Sequence, residues 1–189
     1  NHPEVEGTMG QFDTSYGGTI TLIEDISDVE KLKFSESSKV AFVTQTTLSV
    51  DDTQELKDSL INKFPDIIGP KKDDICYATQ NRQDAVKQLA LESDLVIVIG
   101  SENSSNSNRL REIAERSGVK AYLIDSVGDL PAECLEGKKR IGLTSGASAP
   151  EHLVSEVIDT LTKKYGFKLQ GNRTRTDEGI SFRLPKGLR

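Results

Sequence analysis

The run LVIVI at residues 95–99 constrains the fold of this chain more than any other segment. It is continuously apolar and rich in β-branched residues, which is typical of a strand buried on both faces of a parallel sheet. It is far shorter than the roughly 20 residues that cross a bilayer. The run stops at Gly100, and the segment GSENSSNSNRL that begins there is dense in serine and asparagine. The sequence therefore predicts a buried strand over residues 95–100, whose carboxyl end opens into a polar loop.

Other short β-branched segments alternate with helical patterns along the chain. The further candidate strands are residues 19–24 (TITLIE), 39–44 (KVAFVT), 121–125 (AYLID) and 140–144 (RIGLT). Apolar residues recur every three or four positions in QELKDSLINKF, QDAVKQLALES and HLVSEVIDTLTKK, the spacing of one buried helix face. This alternation predicts an α/β fold with parallel-type sheets flanked by helices. Residues 66–74 (DIIGPKKDD) are the best candidate for a junction between two α/β units, and a turn and a short strand are expected in the tail after Gly166.

Composition excludes two classes of function. The net charge is −6 and the lysines and arginines are scattered, so the basic surface of a nucleic-acid-binding protein is not expected. No apolar run is long enough for a membrane span. Cys76 and Cys134 lie far apart without zinc-type spacing, and nothing resembles a signal peptide, which favours a reducing, cytoplasmic setting.

Three loops share one construction, in which a strand is followed by small hydroxyl-bearing or amide side chains and then by a helix. In a parallel sheet such loops meet at the carboxyl edge, where the following helices point their N-terminal amides at a ligand. We therefore predict a neutral cradle for a phosphate or diphosphate. The alternative is that each loop only caps a helix, although a cap needs one such residue and these loops carry several. The loop residues are Thr44, Thr46, Thr47 and Ser49; Ser101, Ser104, Ser105, Asn106 and Asn108; and Thr144, Ser145, Gly146 and Ser148.

Four other side chains are candidates for chemistry. Cys76 precedes a helix expected to begin near Asn81; a thiolate there would be a nucleophile or metal ligand, although a lone cysteine is more often a small buried hydrophobe. Cys134 is expected to be structural. His2 and Glu4 flank Pro3, which is expected to keep the segment extended. The pair could share proton transfer, with solvated terminal residues as the alternative.

Five blocks of the chain together carry a family resemblance: HPEVEGTMGQ, TQTTLSVDDT, DDICYATQNRQDAV, GSENSSNSNRL and GLTSGASAPEHLV. They resemble the 4-hydroxy-3-methylbut-2-enyl diphosphate reductases of the LytB family. The resemblance implies three similar α/β domains, of which the first is missing here. Residues 1–72 would be an N-terminally incomplete second domain, residues 73–166 the third, and residues 167–189 a C-terminal tail.

The same resemblance implies an activity and a set of site residues. The family's enzymes reductively remove the substrate hydroxyl to give isopentenyl and dimethylallyl diphosphate, the last step of the non-mevalonate isoprenoid pathway, with electrons from ferredoxin or flavodoxin. They work in the cytoplasm, or in the plastid stroma of plants and algae. By motif position, the family's substrate-binding residues correspond to His2, Thr46, Ser104, Ser105, Asn106 and Ser148, and its catalytic residues to Glu4 and Thr46.

The implied cofactor is a 4Fe–4S cluster held by three cysteines. Cys76 matches one of them, and the other two would lie outside this chain. The isolated fragment is accordingly expected to be inactive. Two alternatives use the hydroxyl loops without a cluster. These are a non-catalytic module that binds phosphate esters, and a domain like those of phosphosugar isomerases, which gives Cys76 no role.

Overall fold

The computed structural model describes residues 2–35, 38–170, 181 and 184–188. The helices are α1 (Pro3–Gln11), α2 (Ile26–Lys31), α3 (Val50–Lys63), α4 (Tyr77–Leu91), α5 (Ser105–Arg116) and α6 (Glu151–Lys163). The strands are β1 (Leu95–Ile99), β2 (Ala121–Ile124) and β3 (Ile141–Ser145). Short 3-10 turns cover Thr14–Tyr16, Val127–Asp129, Ala132–Leu135 and Lys186–Leu188.

The three strands form a parallel sheet in the order β2-β1-β3. Val96 pairs with Ala121 on one side, and Leu95 pairs with Ile141 on the other. The central strand is LVIVI, and all five of its residues are fully buried. The predicted α/β fold is confirmed, and the three predicted strands of this sheet lie within one residue of their observed bounds.

Alternate residues of β1 face two different layers of the core. Leu95, Ile97 and Ile99 pack in one cluster with Val157 and Leu161 of α6. Val96 and Val98 pack in the other with Val86 of α4 and Leu110 of α5. Because side chains alternate along a strand, a run that is apolar throughout can fill both layers. The helices therefore cover both faces of the sheet and leave its carboxyl edge open to the loops.

Two predicted strands are wrong. Residues 19–24 form no strand, and residues 39–44 make only an isolated parallel bridge, from Ala41 to Ile68. A strand needs a neighbour for its backbone groups. Phe42 N–H donates to Ile68 C=O at 2.9 Å, and Ile68 N–H donates to Val40 C=O at 2.9 Å. Among the described residues, this segment has no neighbouring strand beyond that single bridge.

Three further expectations concern the junction, the tail and the membrane. The segment 66–74 packs beside residues 40–44, as the Ala41–Ile68 bridge shows, and its role as a domain boundary stays a prediction. Residues 171–180, 182–183 and 189, where most of the expected turn and short strand of the tail fall, lie outside the described residues. Within the described part of the chain, no helix is both long enough and apolar enough to cross a membrane.

Candidate active site at the carboxyl edge of the sheet

The polar loop after β1 leads directly into α5. Ser104 is the N-cap of this helix, and its Oγ accepts hydrogen bonds from Ser107 N–H at 3.3 Å and Ser107 Oγ–H at 3.0 Å. Ser105 and Asn106 then occupy the first turn. The capping interpretation is therefore correct for Ser104. Local bonds also account for Ser101, whose Oγ accepts the Asn103 N–H, and for Asn108, whose Nδ2 donates to two backbone carbonyls.

Asn106 has a side chain that the described residues do not satisfy. The residue is 6% exposed, and neither its Oδ1 nor its Nδ2 has a hydrogen-bond partner there. Leaving a buried polar group unpaired costs about 1–3 kcal/mol, so such an amide is expected where a ligand completes the bonding. Gly146 of the third loop lies beside it, since a Cβ built on Gly146 would be 3.7 Å from Asn106 Nδ2. The second and third loops thus meet at one edge of the sheet.

His2 reaches this edge from the other end of the sequence. Its Nε2 lies 2.6 Å from Ser105 Oγ. His2 itself is extended, but α1 begins at Pro3, so the expectation of an extended segment through Glu4 is wrong. Proline is favoured at the first position of a helix because it has no N–H to leave unpaired and its φ is already helical. The helix places Glu4 in its first turn, on the solvent-exposed side of His2.

Gln45 connects His2 to Glu4. Its Nε2 donates to Glu4 Oε2 at 3.1 Å and approaches His2 Nδ1 at 3.0 Å. His2 Nδ1 also accepts the Glu4 N–H at 3.3 Å. The two N–H donors that face Nδ1 favour the tautomer with the ring proton on Nε2, from which it can donate to Ser105 Oγ. Sequence reasoning missed Gln45 because it considered only the threonines of TQTT, although an amide among them was a visible signal.

Thr46 and Cys76 are held together through the backbone. Cys76 N–H donates to Thr46 C=O at 3.0 Å, and both side chains are exposed. The helix α4 begins at Tyr77 with Cys76 as its N-cap, four residues earlier than the expected Asn81. The Cys76 carbonyl already accepts the Thr79 and Gln80 N–H groups, as an N-cap carbonyl does. The thiol therefore lies at the amino end of the helix, next to the first loop.

The donor set for an iron–sulfur cluster is incomplete in this chain. No group of three or more His, Cys, Asp or Glu side chains among the described residues could hold a metal ion. Cys134 is buried in the sheet core, where burial raises the pKa of its thiol. It is therefore structural, as predicted. The described residues do not make a cluster site by themselves.

The last predicted substrate-binding residue, Ser148, lies on the surface. It is exposed in the turn between β3 and α6, which begins at Glu151. His152 is exposed in the first turn of α6. On α5, Arg109 is paired with Glu112 at 2.6 Å. The edge therefore presents hydroxyls, an amide and helix N–H groups, and this arginine is already neutralised.

Comparison with known proteins agrees with this architecture. The family model described as LytB protein matches residues 1–162. A protein of Saccharophagus degradans named 4-hydroxy-3-methylbut-2-enyl diphosphate reductase is 62% identical over 188 residues, which are 100% of this chain and 60% of that protein. A protein of the same name from Alcanivorax borkumensis is 61% identical, with the same coverage.

One solved structure matches nearly the whole chain. It is the E-1-hydroxy-2-methyl-but-2-enyl-4-diphosphate reductase from Plasmodium falciparum, with 37% sequence identity and a TM-score of 0.87. The match covers 99% of this chain and 58% of that one. The present chain thus spans about 60% of the length of the curated relatives that it matches. The resemblance drawn from the five sequence blocks is confirmed, and the chain belongs to the LytB protein family.

Proposed function

We propose that this chain is part of a 4-hydroxy-3-methylbut-2-enyl diphosphate reductase and carries much of its substrate site. The reaction consumes two electrons and two protons. The C–O bond of the allylic alcohol breaks, the hydroxyl leaves with one proton as water, and the second proton adds to carbon to give isopentenyl or dimethylallyl diphosphate. Relatives that are 61–62% identical carry this name.

The observation that carries the proposal is the contact chain Ser105–His2–Gln45–Glu4. It joins a loop suited to an anion with a carboxyl group suited to proton transfer. His2 and Ser105 are 103 positions apart in the sequence. A module that only binds phosphate esters has no need of a carboxyl group linked to its anion loop by hydrogen bonds.

The diphosphate would bind at the N-terminus of α5. Ser104, Ser105 and Asn106 supply two hydroxyls and an otherwise unpaired amide. His2, whose Nε2 lies 2.6 Å from Ser105 Oγ, is a further substrate-binding residue of this cradle. Ser148 extends the cradle from the third loop. The helix N-terminus adds free N–H groups and the positive end of its dipole, which favour a phosphate. The substrate supplies all of the charge.

Glu4 and Thr46 would serve the hydroxyl end of the substrate. Glu4 is exposed and keeps its carboxyl group oriented through Gln45. Thr46 follows Gln45 directly, and its exposed hydroxyl lies on the loop that also holds the Cys76 backbone. Glu4 would donate the proton that leaves as water, and Thr46 would pass it to the substrate oxygen.

Cys76 would be one of three cysteine ligands to a 4Fe–4S cluster, the other two lying outside this chain. When complete, the cluster would supply the two electrons, delivered by ferredoxin or flavodoxin. Thiolates are the expected ligands of such a cluster. We also propose a cytoplasmic location, or the plastid stroma in a plant or alga.

Turnover by the full-length protein tests this function. The protein is purified without oxygen, analysed for iron and sulfide, and assayed with dithionite and the substrate. Glu4→Gln is expected to retain substrate binding and to lose turnover by a factor of about 100 or more, the usual contribution of a general acid.

Glu6→Gln is the matched control for this substitution. Glu6 is exposed on the same helix, but residues two apart in a helix do not share a face. It is expected to leave turnover unchanged. A protein free of iron that binds diphosphate would favour the phosphate-ester module instead, and conversion of a sugar phosphate without reductant would favour an isomerase.

A further inference from the structure

We infer that Ser107 is a positioning residue of the diphosphate cradle, because its buried hydroxyl fixes the Ser104 hydroxyl as a hydrogen-bond donor to the ligand. The inference rests on the proposed function, since it needs a diphosphate at the N-terminus of α5. Ser107 itself would not touch the ligand. It would act by deciding where the Ser104 proton points.

The hydrogen bonds around Ser104 leave its hydroxyl proton free to point in only one direction, toward the ligand. Ser107 Oγ–H donates to Ser104 Oγ at 3.0 Å, and Ser107 N–H donates to the same oxygen at 3.3 Å. A serine oxygen has two acceptor positions and one proton. Both acceptor positions are therefore filled from within the helix. Among the described hydrogen bonds Ser104 donates to no protein acceptor, so its O–H is available to a ligand oxygen.

The packing around Ser107 keeps its hydroxyl in place. Ser107 is 1% exposed and lies between Gly100, after β1, and Gly146, after β3. A Cβ on either glycine would overlap Ser107 Oγ. Two strand ends thus confine this one oxygen. A longer side chain at 107 or a methyl group on either glycine would displace it from Ser104.

The Ser105 hydroxyl is also placed to donate to the ligand, with His2 as its partner within the protein. Ser105 Oγ lies 2.6 Å from His2 Nε2, and it accepts from this nitrogen in the tautomer that the two N–H donors facing His2 Nδ1 favour. Both serines are therefore supplied with internal donors and present their own protons outward. A deprotonated diphosphate carries acceptors only, so a cradle made of donors matches it without any lysine.

A double-mutant cycle in the full-length protein tests the inference. Dissociation constants for inorganic diphosphate are measured by calorimetry for the wild type, Ser107→Ala, Ser104→Gly and the double variant. Ser107→Ala is expected to weaken binding about fivefold, the size of one neutral hydrogen bond. In the Ser104→Gly background the same change is expected to alter binding by less than about twofold. KM for the substrate should rise in parallel, with kcat retained.

Ser117→Ala is the matched control, because Ser117 Oγ donates to Ile113 C=O at the opposite end of α5. It removes a helix-side hydroxyl without facing the cradle and should leave diphosphate binding unchanged. Gly146→Ala provides a second route, since it displaces the Ser107 hydroxyl without deleting it. It should weaken binding in the wild type and much less in Ser104→Gly.

The outcomes separate the inference from the function on which it rests. If Ser107→Ala weakens binding equally with and without the Ser104 hydroxyl, Ser107 acts only through structure and the inference is overturned while the proposed function stands. If the wild type binds no diphosphate, both are overturned. Loss of the Ser107 effect in Ser104→Gly supports both.

Discussion

Three groups lie within hydrogen-bond distance of the two ring nitrogens of His2. The Glu4 N–H and the Gln45 amide face Nδ1, and Ser105 Oγ faces Nε2. Of these, only Gln45 also holds the Glu4 carboxylate. A single amide side chain thus couples the proposed proton donor to the proposed anion loop, and its removal should disturb both.

Gln45→Leu tests this coupling with a side chain of similar size. Two hydrogen bonds of about 1 kcal/mol each are lost, so kcat/KM of the full-length protein should fall by roughly 10- to 30-fold. Steady-state kinetics should show changes in both kcat and KM. Gln54→Leu, which removes an exposed bond to Asp58 on α3, should change neither. A Gln45→Leu protein with wild-type kinetics would remove Gln45 from the site.

The two cysteines should differ sharply in reactivity. Cys134 is 8% exposed and burial raises the pKa of its thiol, whereas Cys76 is exposed. Because the thiolate is the reactive form, iodoacetamide should leave Cys134 unmodified in the native protein and label it after unfolding. Peptide mass spectrometry measures both sites. Cys76 should be protected in protein that carries its cluster and labelled after chelation, and labelling that ignores the cluster would argue against ligation.

At the scale of elements, the start of α5 approaches the sheet closely because a glycine follows β1 and another follows β3. Gly100 and Gly146 have no Cβ to meet Ser107, and neither has a positive φ. Glycine is needed at these two positions because a side chain would overlap Ser107, and not because of an unusual backbone conformation. The helix N-terminus can therefore lie at the strand ends, where Gly146 N–H also donates to Ile99 C=O at 2.8 Å.

Gly146→Ala should destabilise the protein by about 1–3 kcal/mol, the usual cost of overpacking. Ser107→Ala should remove much of that cost, because the new Cβ would then lie 3.5 Å from the Cβ of residue 107. Ser107→Ala should restore less stability to Gly100→Ala, since the Cβ of residue 100 would still lie 2.9 Å from the Cβ of residue 107. Urea unfolding of the single and double variants measures the difference, and equal rescue at both glycines would contradict the packing argument.

At the scale of the whole molecule, polar contacts join the first third of the chain to the sheet layer. Gln83 of α4 donates to Leu48 C=O and accepts from Val50 N–H, holding the start of α3. Arg116 of α5 donates to both carboxylate oxygens of Asp52 on α3, at 2.8 and 2.9 Å. The first loop is thereby anchored to the helices that cover the sheet.

The Asp52–Arg116 contact predicts a pH-dependent stability term. The hydrogen bond from Arg116 is the largest cause that holds the pKa of Asp52 below its ordinary value of 3.8. A lowered folded-state pKa means that the stabilisation is complete above about pH 3.8 and is lost as the pH falls through the lower value. Because Asp52 is half exposed, Asp52→Asn should cost no more than about 1 kcal/mol at pH 7.

Urea unfolding at about pH 7, 5, 4 and 3 measures this term. The difference between wild type and Asp52→Asn should stay constant down to pH 4 and narrow below it. Asp159→Asn, which breaks an exposed pair with Lys163 inside α6, serves as the control for a pair that joins no separate elements. A difference that grows on acidification would contradict the assignment.

Sequence reasoning succeeded where one local signal was enough. LVIVI predicted the central strand of the sheet. It failed for residues 19–24 and 39–44, because β-branched residues favour a strand only where a neighbouring strand exists. It missed α1 and placed the start of α4 four residues too late, because proline at a first helical position and an N-cap cysteine without a side-chain bond are weak signals.

The sequence by itself determined the α/β class, the buried strand and the family, because periodicity and long motifs are properties of neighbouring residues. Only the tertiary structure decided which polar residues share a site. His2 meets Ser105 across 103 positions and Gln45 across 43, and Ser107 is confined by two strand ends that are not contiguous in the chain. The confinement of Ser107 arises because parallel strands bring the carboxyl ends of β1 and β3 to one edge. The contacts of His2 arise from the packing of α1 and the first loop against that edge, which no local pattern encodes.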